Sequence, residues 1–480
     1  MTFYPSGSSG SSASGPWEFI VGPTGKYPAT GNGVTDDTAQ FIAAINAAVT
    51  YAEANSGLGM VSVQPPPVYY AINGALVNSG SVGGAKGNAQ IPLPVVAPGG
   101  NKIKLVIRGL GGDGQSWPMW TQTATPPWGG VPLVSNGVFA NATAQGNSLN
   151  TYGDAVVIGG PNPVNGYGTS AALFNNMAVT IQGITINTAL DSTSSPAGLG
   201  YGAVDLSGTS QAQLLDFACG STGLYDPVWS SHSNPGLGNF SRGIIMPNPA
   251  ANDMNVLRNV TVYGGYNYAV LITEHCVADA LRILYCGAAL CPVGNFDGSA
   301  GAVHGIKVLQ CSIEGCNVEI YTVGIGSGGI TYFDVDQLDW EGTTFAFYDN
   351  SSGTPTTNLT GTVRIAGYTP SALDIQGSAY TGPSQLPGLR LFYTSTIPGV
   401  QTPPSVPAST TPLINPFWHD ANVYITSGGA AVTAIAVNGT ATGLSLGVSG
   451  TVLVRVPTGG TVTLTYASTA PTWKWVTERP

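Results

Sequence analysis

One stretch of this chain keeps helical spacing; most of the rest alternates apolar and polar positions. Phe41, Ile42, Ile45, Ala48, Val49 and Ala52 recur at three- and four-residue intervals, which lines one face of an α-helix. Thr35, Asp36 and Asp37 precede them as an N-cap and as negative charge for the first turn. Gly57 and Gly59 stop the run. Short β-type runs follow at 61–63, 68–72, 103–108 and 179–186. Beyond 415 four more runs (422–426, 432–437, 451–456 and 461–466) sit at regular spacing with Gly turns between them, as in a small antiparallel unit.

The middle of the chain repeats itself. The segment 281–291 overlays 306–316, and both cysteines recur at one offset (311 − 286 = 25; 316 − 291 = 25). Gln310-Cys-Ser-Ile-Glu-Gly-Cys-Asn-Val-Glu-Ile-Tyr321 overlays Gln337-Leu-Asp-Trp-Glu-Gly-Thr-Thr-Phe-Ala-Phe-Tyr348 (341 − 314 = 27). A β-patterned period of about 25 residues reads as a solenoid whose coils stack about 4.8 Å apart. Cys286 is then expected over Cys311, Cys291 over Cys316, and Glu314 over Glu341. Arg282, Lys307 and Asp334 are expected in one column, where Lys307 and Asp334 pair.

Composition narrows the picture. Charged residues are 8% of the 480, and the net charge is −10. Nucleic acids and anionic membranes need clustered basic residues, so neither is an expected partner. No apolar run reaches the length of about 18 residues that a spanning helix needs. The first residues have no basic and then apolar leader; residues 1–25 read as a Gly/Ser-rich arm. The segments 112–175 and 207–250 read as long loops, and 401–415, with Pro403, Pro404, Pro407 and Pro412, as a semi-rigid linker.

The run from Tyr27 to Ala48 contains Gly31-Asn-Gly-Val-Thr-Asp-Asp-Thr38. It resembles the opening of the pectate-lyase-like superfamily, where such a helix caps a right-handed parallel β-helix. The resemblance implies an all-β fold: capping helix, parallel β-helix over 26–400, then a β-sandwich over 416–480. Phage tailspikes, tail-associated depolymerases and some secreted glucanases share this opening. The C-terminal unit, from Asn415-Pro-Phe-Trp-His-Asp to Trp473-Lys-Trp475, is similar to the sandwich ending minor tail proteins of phages that infect actinobacteria. The resemblance implies a homotrimer in a virion tail, attached by its N-terminal arm to other tail proteins. It also implies adhesion to a host-surface polysaccharide or glycolipid. In that family the helix motif is structural, so Asp36 and Asp37 receive no catalytic role.

Two residue sets offer chemistry. Glu314, Asp334, Asp336, Asp339 and Glu341 lie close together in a chain poor in charge. Carboxylates on adjacent coils stand about 5 Å apart, near the separation retaining glycosidases use, with one pKa raised by repulsion. Glu314, Glu341, Asp339 and Asp336 are therefore the catalytic candidates for a glycan hydrolase or lyase. The competing reading is a solvated turn ladder with Asp334 paired to Lys307. Trp117, Trp120, Trp128, Trp229 and Tyr266 are the candidates for stacking on sugar rings. A purely structural tail component is the third reading. The two G-x-G-x-x-G runs (109–114 and 324–329) lack a following helix and read as turns. The cysteines lack C-x2-C spacing and read as packed thiols, so no metal and no cofactor are expected.

Overall fold

The computed structural model describes residues 17–55, 57–74, 77–79, 87–96, 102–110, 131–135, 155–159, 175–188, 202–221, 242–247, 254–263, 266, 268–273, 275–284, 286–293, 301–303, 305–316, 318–322, 325–341, 345–349, 359–366, 374–375, 378–379, 389–393, 399–417 and 420–477. Up to strand Leu389–Tyr393 the chain is a parallel β-helix. Its strands stack into a 17-stranded and an 11-stranded sheet. Among the described residues of the β-helix, pairing is antiparallel only at the two ends of the smaller sheet, Val77–Ser79 with Gly87–Pro92 and Asp374–Ile375 with Ser378–Ala379.

Apolar ladders line the interior, three of them as follows. The first runs through Phe19, Val61, Ile107, Ile181, Leu214, Leu257, Ala278, Val308, Val335 and Val363. The second runs through Ile186, Cys219, Val262, Ile283 and Ile313. The third, in the smaller sheet, runs through Ile91, Ile158, Val204, Ile244, Val270, Leu290 and Ile320. Each rung buries a side chain worth about 1.5–3 kcal/mol relative to exposure, so the apolar columns decide which strand lies over which.

The first and second ladders belong to one bent sheet. In four successive coils the bend is a single left-handed residue: Gly183 (φ 63°), Asp216 (φ 49°), Asn259 (φ 54°) and Ala280 (φ 54°). Asn and Asp tolerate this region better than most residues. Here they also bond along the stack: Asn259 Nδ2 donates to Asp216 Oδ1 at 2.9 Å, and Gln182 Nε2 to Asp216 Oδ2 at 3.4 Å.

The registers correct one overlay and support the other. Glu314 pairs with Glu341 and Lys307 with Asp334, both at the 27-residue offset. The 25-residue overlay fails. Leu281 lies over Cys311, not Ile306, and Ile306 lies over Cys276. Cys286 contacts Cys316, 30 residues on, through a Cys286 N–H to Sγ contact of 3.4 Å. Arg282 lies over Ser312, outside the Lys307 column. The cause is that each coil carries two strand halves separated by the bend. Leu281-Arg-Ile is a second half and Ile306-Lys-Val a first half, yet both read apolar–polar–apolar.

All six cysteines are buried free thiols. Burial pushes the Cys219 and Cys276 thiols far up. Burial first, and then the neighbouring Cys286 and Glu314, pushes Cys316 up as well. Reaction with disulfide reagents needs an accessible thiolate. The native protein is therefore expected to release no colour with Ellman's reagent over minutes, and all six thiols to react once it is denatured. Fast reaction of any thiol in the native protein would contradict the packing described here.

The helix Thr38–Ala54 covers the N-terminal end, burying Phe41, Ala44, Ile45, Ala48, Val49 and Ala52. It packs closely on strand Leu58–Val63: a Cβ at Gly59 would lie 2.2 Å from the Ala48 carbonyl oxygen. The two aspartates divide the work differently from the expected N-cap. Asp36 Oδ1 accepts from Thr38 N at 3.1 Å and Asn73 N at 3.0 Å. Asp37, the residue before the helix, makes no side-chain cap. Its buried carboxylate instead accepts from Thr30 N (2.6 Å), Thr30 Oγ1 (3.0 Å) and Gly31 N (3.0 Å), clasping the preceding loop.

Residues 399–477 form a β-sandwich of two four-stranded antiparallel sheets. Its core, including Phe417, Val423, Ile425, Val454, Leu464, Trp473 and Trp475, is a cluster distinct from that of the β-helix, against which Ile414 of this unit packs. The segment 401–415, expected as a linker, belongs to this unit. Strand Gly399–Gln401 pairs with Thr472–Thr477, and Pro412–Ile414 with Thr461–Tyr466. The intervening prolines offer carbonyls as acceptors: Trp473 Nε1 donates to Pro404 O at 2.7 Å and Tyr466 Oη to Pro407 O at 2.6 Å.

Candidate functional site

The acidic residues singled out in the sequence lie on neighbouring strands of the larger sheet. Strands Ile306–Val308 and Cys311–Glu314 lie beside Ile325–Glu341. Register places Glu314 beside Glu341 and Ser312 beside Asp339. Neighbouring strands are about 4.8 Å apart, so the two glutamates are adjacent along the backbone. The side chains of Asp339 and Glu341 lie outside the described residues.

Lys307 dominates the described part of the cluster. Its Nζ stands 3.7 Å from Asp334 Oδ2 and 3.7 Å from Asp336 Oδ2. Asp334 is 8% exposed and also accepts from Thr362 Oγ1, its register partner on the next strand. Lys307, Asp334 and Thr362 thus form a polar column across three strands. Asp336, a catalytic candidate, is a counter-ion of Lys307. The Lys307–Asp334 pair is the one the turn-ladder reading expects, and Glu314 and Glu341 remain as a pair adjacent along the backbone.

The aromatic candidates divide. Trp117, Trp120, Trp128 and Trp229 lie outside the described residues. Tyr266 is fully buried, and its hydroxyl donates to Gly220 O at 3.1 Å. It is a core residue, which corrects its assignment to sugar stacking. The Gly264-Gly265 pair before it points to a turn, but the ring is directed into the coil. Tyr268 is also buried, its ring 5.6 Å from that of Tyr321.

A second polar group, not recognised in the sequence, ties the first coils together. Arg108 Nη2 lies 2.7 Å from Glu18 Oε1, and Arg108 Nε donates to Ser62 Oγ at 3.0 Å. Ser62 also bonds Glu18. Burial alone would raise the Glu18 carboxyl, but Ser62 and Arg108 outweigh it and hold it below its ordinary 4.5. Asp36 behaves alike: burial opposes ionisation, and bonds from Thr38, Asn73 and Gly74 hold it below 3.8. A lowered carboxyl contributes stability that is present above its unfolded-state pKa and lost as pH falls through its folded-state value. Denaturant midpoints of the β-helix are accordingly expected to fall below about pH 4.5. Arg108→Gln is expected to flatten that fall, and an unchanged acid profile would contradict the assignment.

Among the described residues no group of three His, Cys, Asp or Glu side chains is placed to hold a metal ion. No family model matches the chain, and no curated protein matches it.

Proposed function

We propose that the protein is a phage tail protein that adheres to glycan on the host surface, acting as a trimeric spike. The observation that carries this reading is the in-register stack itself. Apolar ladders extend along a parallel β-helix that a helix covers at its N-terminal end and a separately cored sandwich follows. Such a body is a stiff support for surface loops, and its sparse charge suits recognition of sugars through apolar faces and hydrogen bonds. The pairing of Asp334 and Asp336 with Lys307 favours adhesion over cleavage, since it commits part of the acidic cluster to an ion-paired column.

Glu314 beside Glu341 supports the second reading, a glycan depolymerase on the same scaffold. One experiment separates the two. Labelled full-length protein is incubated with a panel of actinobacterial cells; bound protein is counted, and the supernatant is assayed for reducing ends and unsaturated sugars. Adhesion predicts saturable binding without product, unchanged in Glu341→Gln. Product that disappears in Glu341→Gln establishes the depolymerase, and neither binding nor product leaves a structural tail component.

A further inference from the structure

The sandwich carries a surface that neither the acidic cluster nor the candidate aromatics include. Its sheet of strands Gly399–Gln401, Thr472–Thr477, Ala421–Thr426 and Thr451–Val456 turns Val423, Ile425, Val454, Trp473 and Trp475 into the core. Alternation sends the other residues outward. Register arranges them in rows: Val400, Val476, Asn422, Arg455; then Lys474, Tyr424, Leu453; then Thr472, Thr426, Thr451. Tyr424 stands at the centre, 39% exposed, with Leu453 46% exposed beside it. The opposite sheet sends out mainly Thr and Ala, among them Thr433, Ala434, Thr463 and Thr465.

Charge picks out the same face. Asp420, Arg455 and Lys474 are the charged residues of 399–477, in a chain of net charge −10. Arg455 is held by Asp420 at 2.9 Å, and Asp420 also accepts from Thr458 N at 2.9 Å. Lys474, exposed next to Tyr424, makes no ion pair among the described residues.

We propose that this face binds an acidic glycan: a sugar ring stacks on Tyr424 and Leu453, and Lys474 meets its carboxylate or phosphate. Aromatic rings match the apolar face of a pyranose, and the Thr and Asn side chains around Tyr424 offer hydrogen bonds to hydroxyls. A second copy of this chain fits less well. The outward side chains of these rows fall short of the roughly 20–30 residues a side of a stable protein interface, and half of them are Thr, Asn or Lys. The inference rests on the glycan-adhesion reading but places a site apart from the β-helix.

The test is electrophoresis of the full-length protein in native gels cast with polygalacturonate, hyaluronate, alginate or a glycerol-phosphate teichoic polymer. Retardation by at least one is expected. Tyr424→Ala is expected to weaken it about tenfold. Lys474→Gln is expected to weaken it about threefold at low salt and to flatten its salt dependence. Thermal unfolding of both variants should match the parent, because both side chains are exposed. Retardation that survives both substitutions would overturn the sandwich site and leave recognition by the β-helix standing. Retardation by none of the four polymers would overturn it whatever the cell-binding assay shows.

Discussion

Asp37→Ala is expected to destabilise the β-helix by about 3 kcal/mol, read from denaturant unfolding. The Asp37 carboxylate is 1% exposed and accepts three hydrogen bonds from Thr30 and Gly31. Alanine removes the acceptor of three hydrogen bonds and leaves the buried Gly31 amide without it, which is what makes the loss large. The loop cannot easily move to find other partners. Gly31 is left-handed (φ 61°), and even a Cβ there would lie 2.5 Å from Pro66 Cβ. Asp37→Asn keeps one carbonyl oxygen and is expected to lose less than alanine. Glycan binding by either variant should be unchanged below its unfolding transition. A loss within about 0.5 kcal/mol, the range of an ordinary surface substitution, would show that the clasp does not hold the loop. Loss of binding with full stability would move Asp37 into the functional site.

The clasp also shows what the sequence can and cannot disclose. The paired aspartates are legible as a structural motif before a helix, because an apolar stripe at helical spacing follows them. Their division of labour is not legible, since it depends on Thr30, Gly31 and Asn73 arriving from outside the helix. The same contrast holds along the stack. The Glu-Gly pairs at 314–315 and 341–342 mark a true register because a turn residue accompanies the match. The Cys-x4-Cys pairs mark a false one because two halves of a bent sheet share one alternating pattern. Lys307 and Asp334 are legible as a pair in a chain with few charges. Tyr266 misleads because a neighbouring Gly pair says nothing about which way a ring points. Proline misleads at 401–415: strand ends and edges tolerate it, and here its carbonyls serve Trp473 and Tyr466. Tyr424, Leu453 and Lys474 come from three separate strands and meet only through antiparallel register, so no local pattern announces their face.

That face depends on the core beneath it, and Trp475→Ala is expected to expose the dependence. Trp475 is fully buried, with the rings of Phe417 and Trp473 at 5.6 Å and 5.4 Å. Truncating a buried tryptophan costs about 3–5 kcal/mol, from lost burial and the cavity left behind. In a unit of this size such a loss is a large part of total stability, which is about 5–15 kcal/mol for a typical domain. Because the sandwich core is separate from that of the β-helix, calorimetry is expected to show the sandwich transition moving down while the β-helix transition stays. Trp475→Phe should cost far less. It keeps most of the ring volume and removes an indole N–H that has no hydrogen-bond partner among the described residues, and an unpaired buried donor is itself destabilising. At temperatures between the lowered sandwich transition and the unchanged β-helix transition, retardation by acidic polymers should vanish in Trp475→Ala while the parent retains it. A single transition that moves as one in both variants would mean that the two cores unfold together, and the sandwich would then be no independent carrier of a binding face.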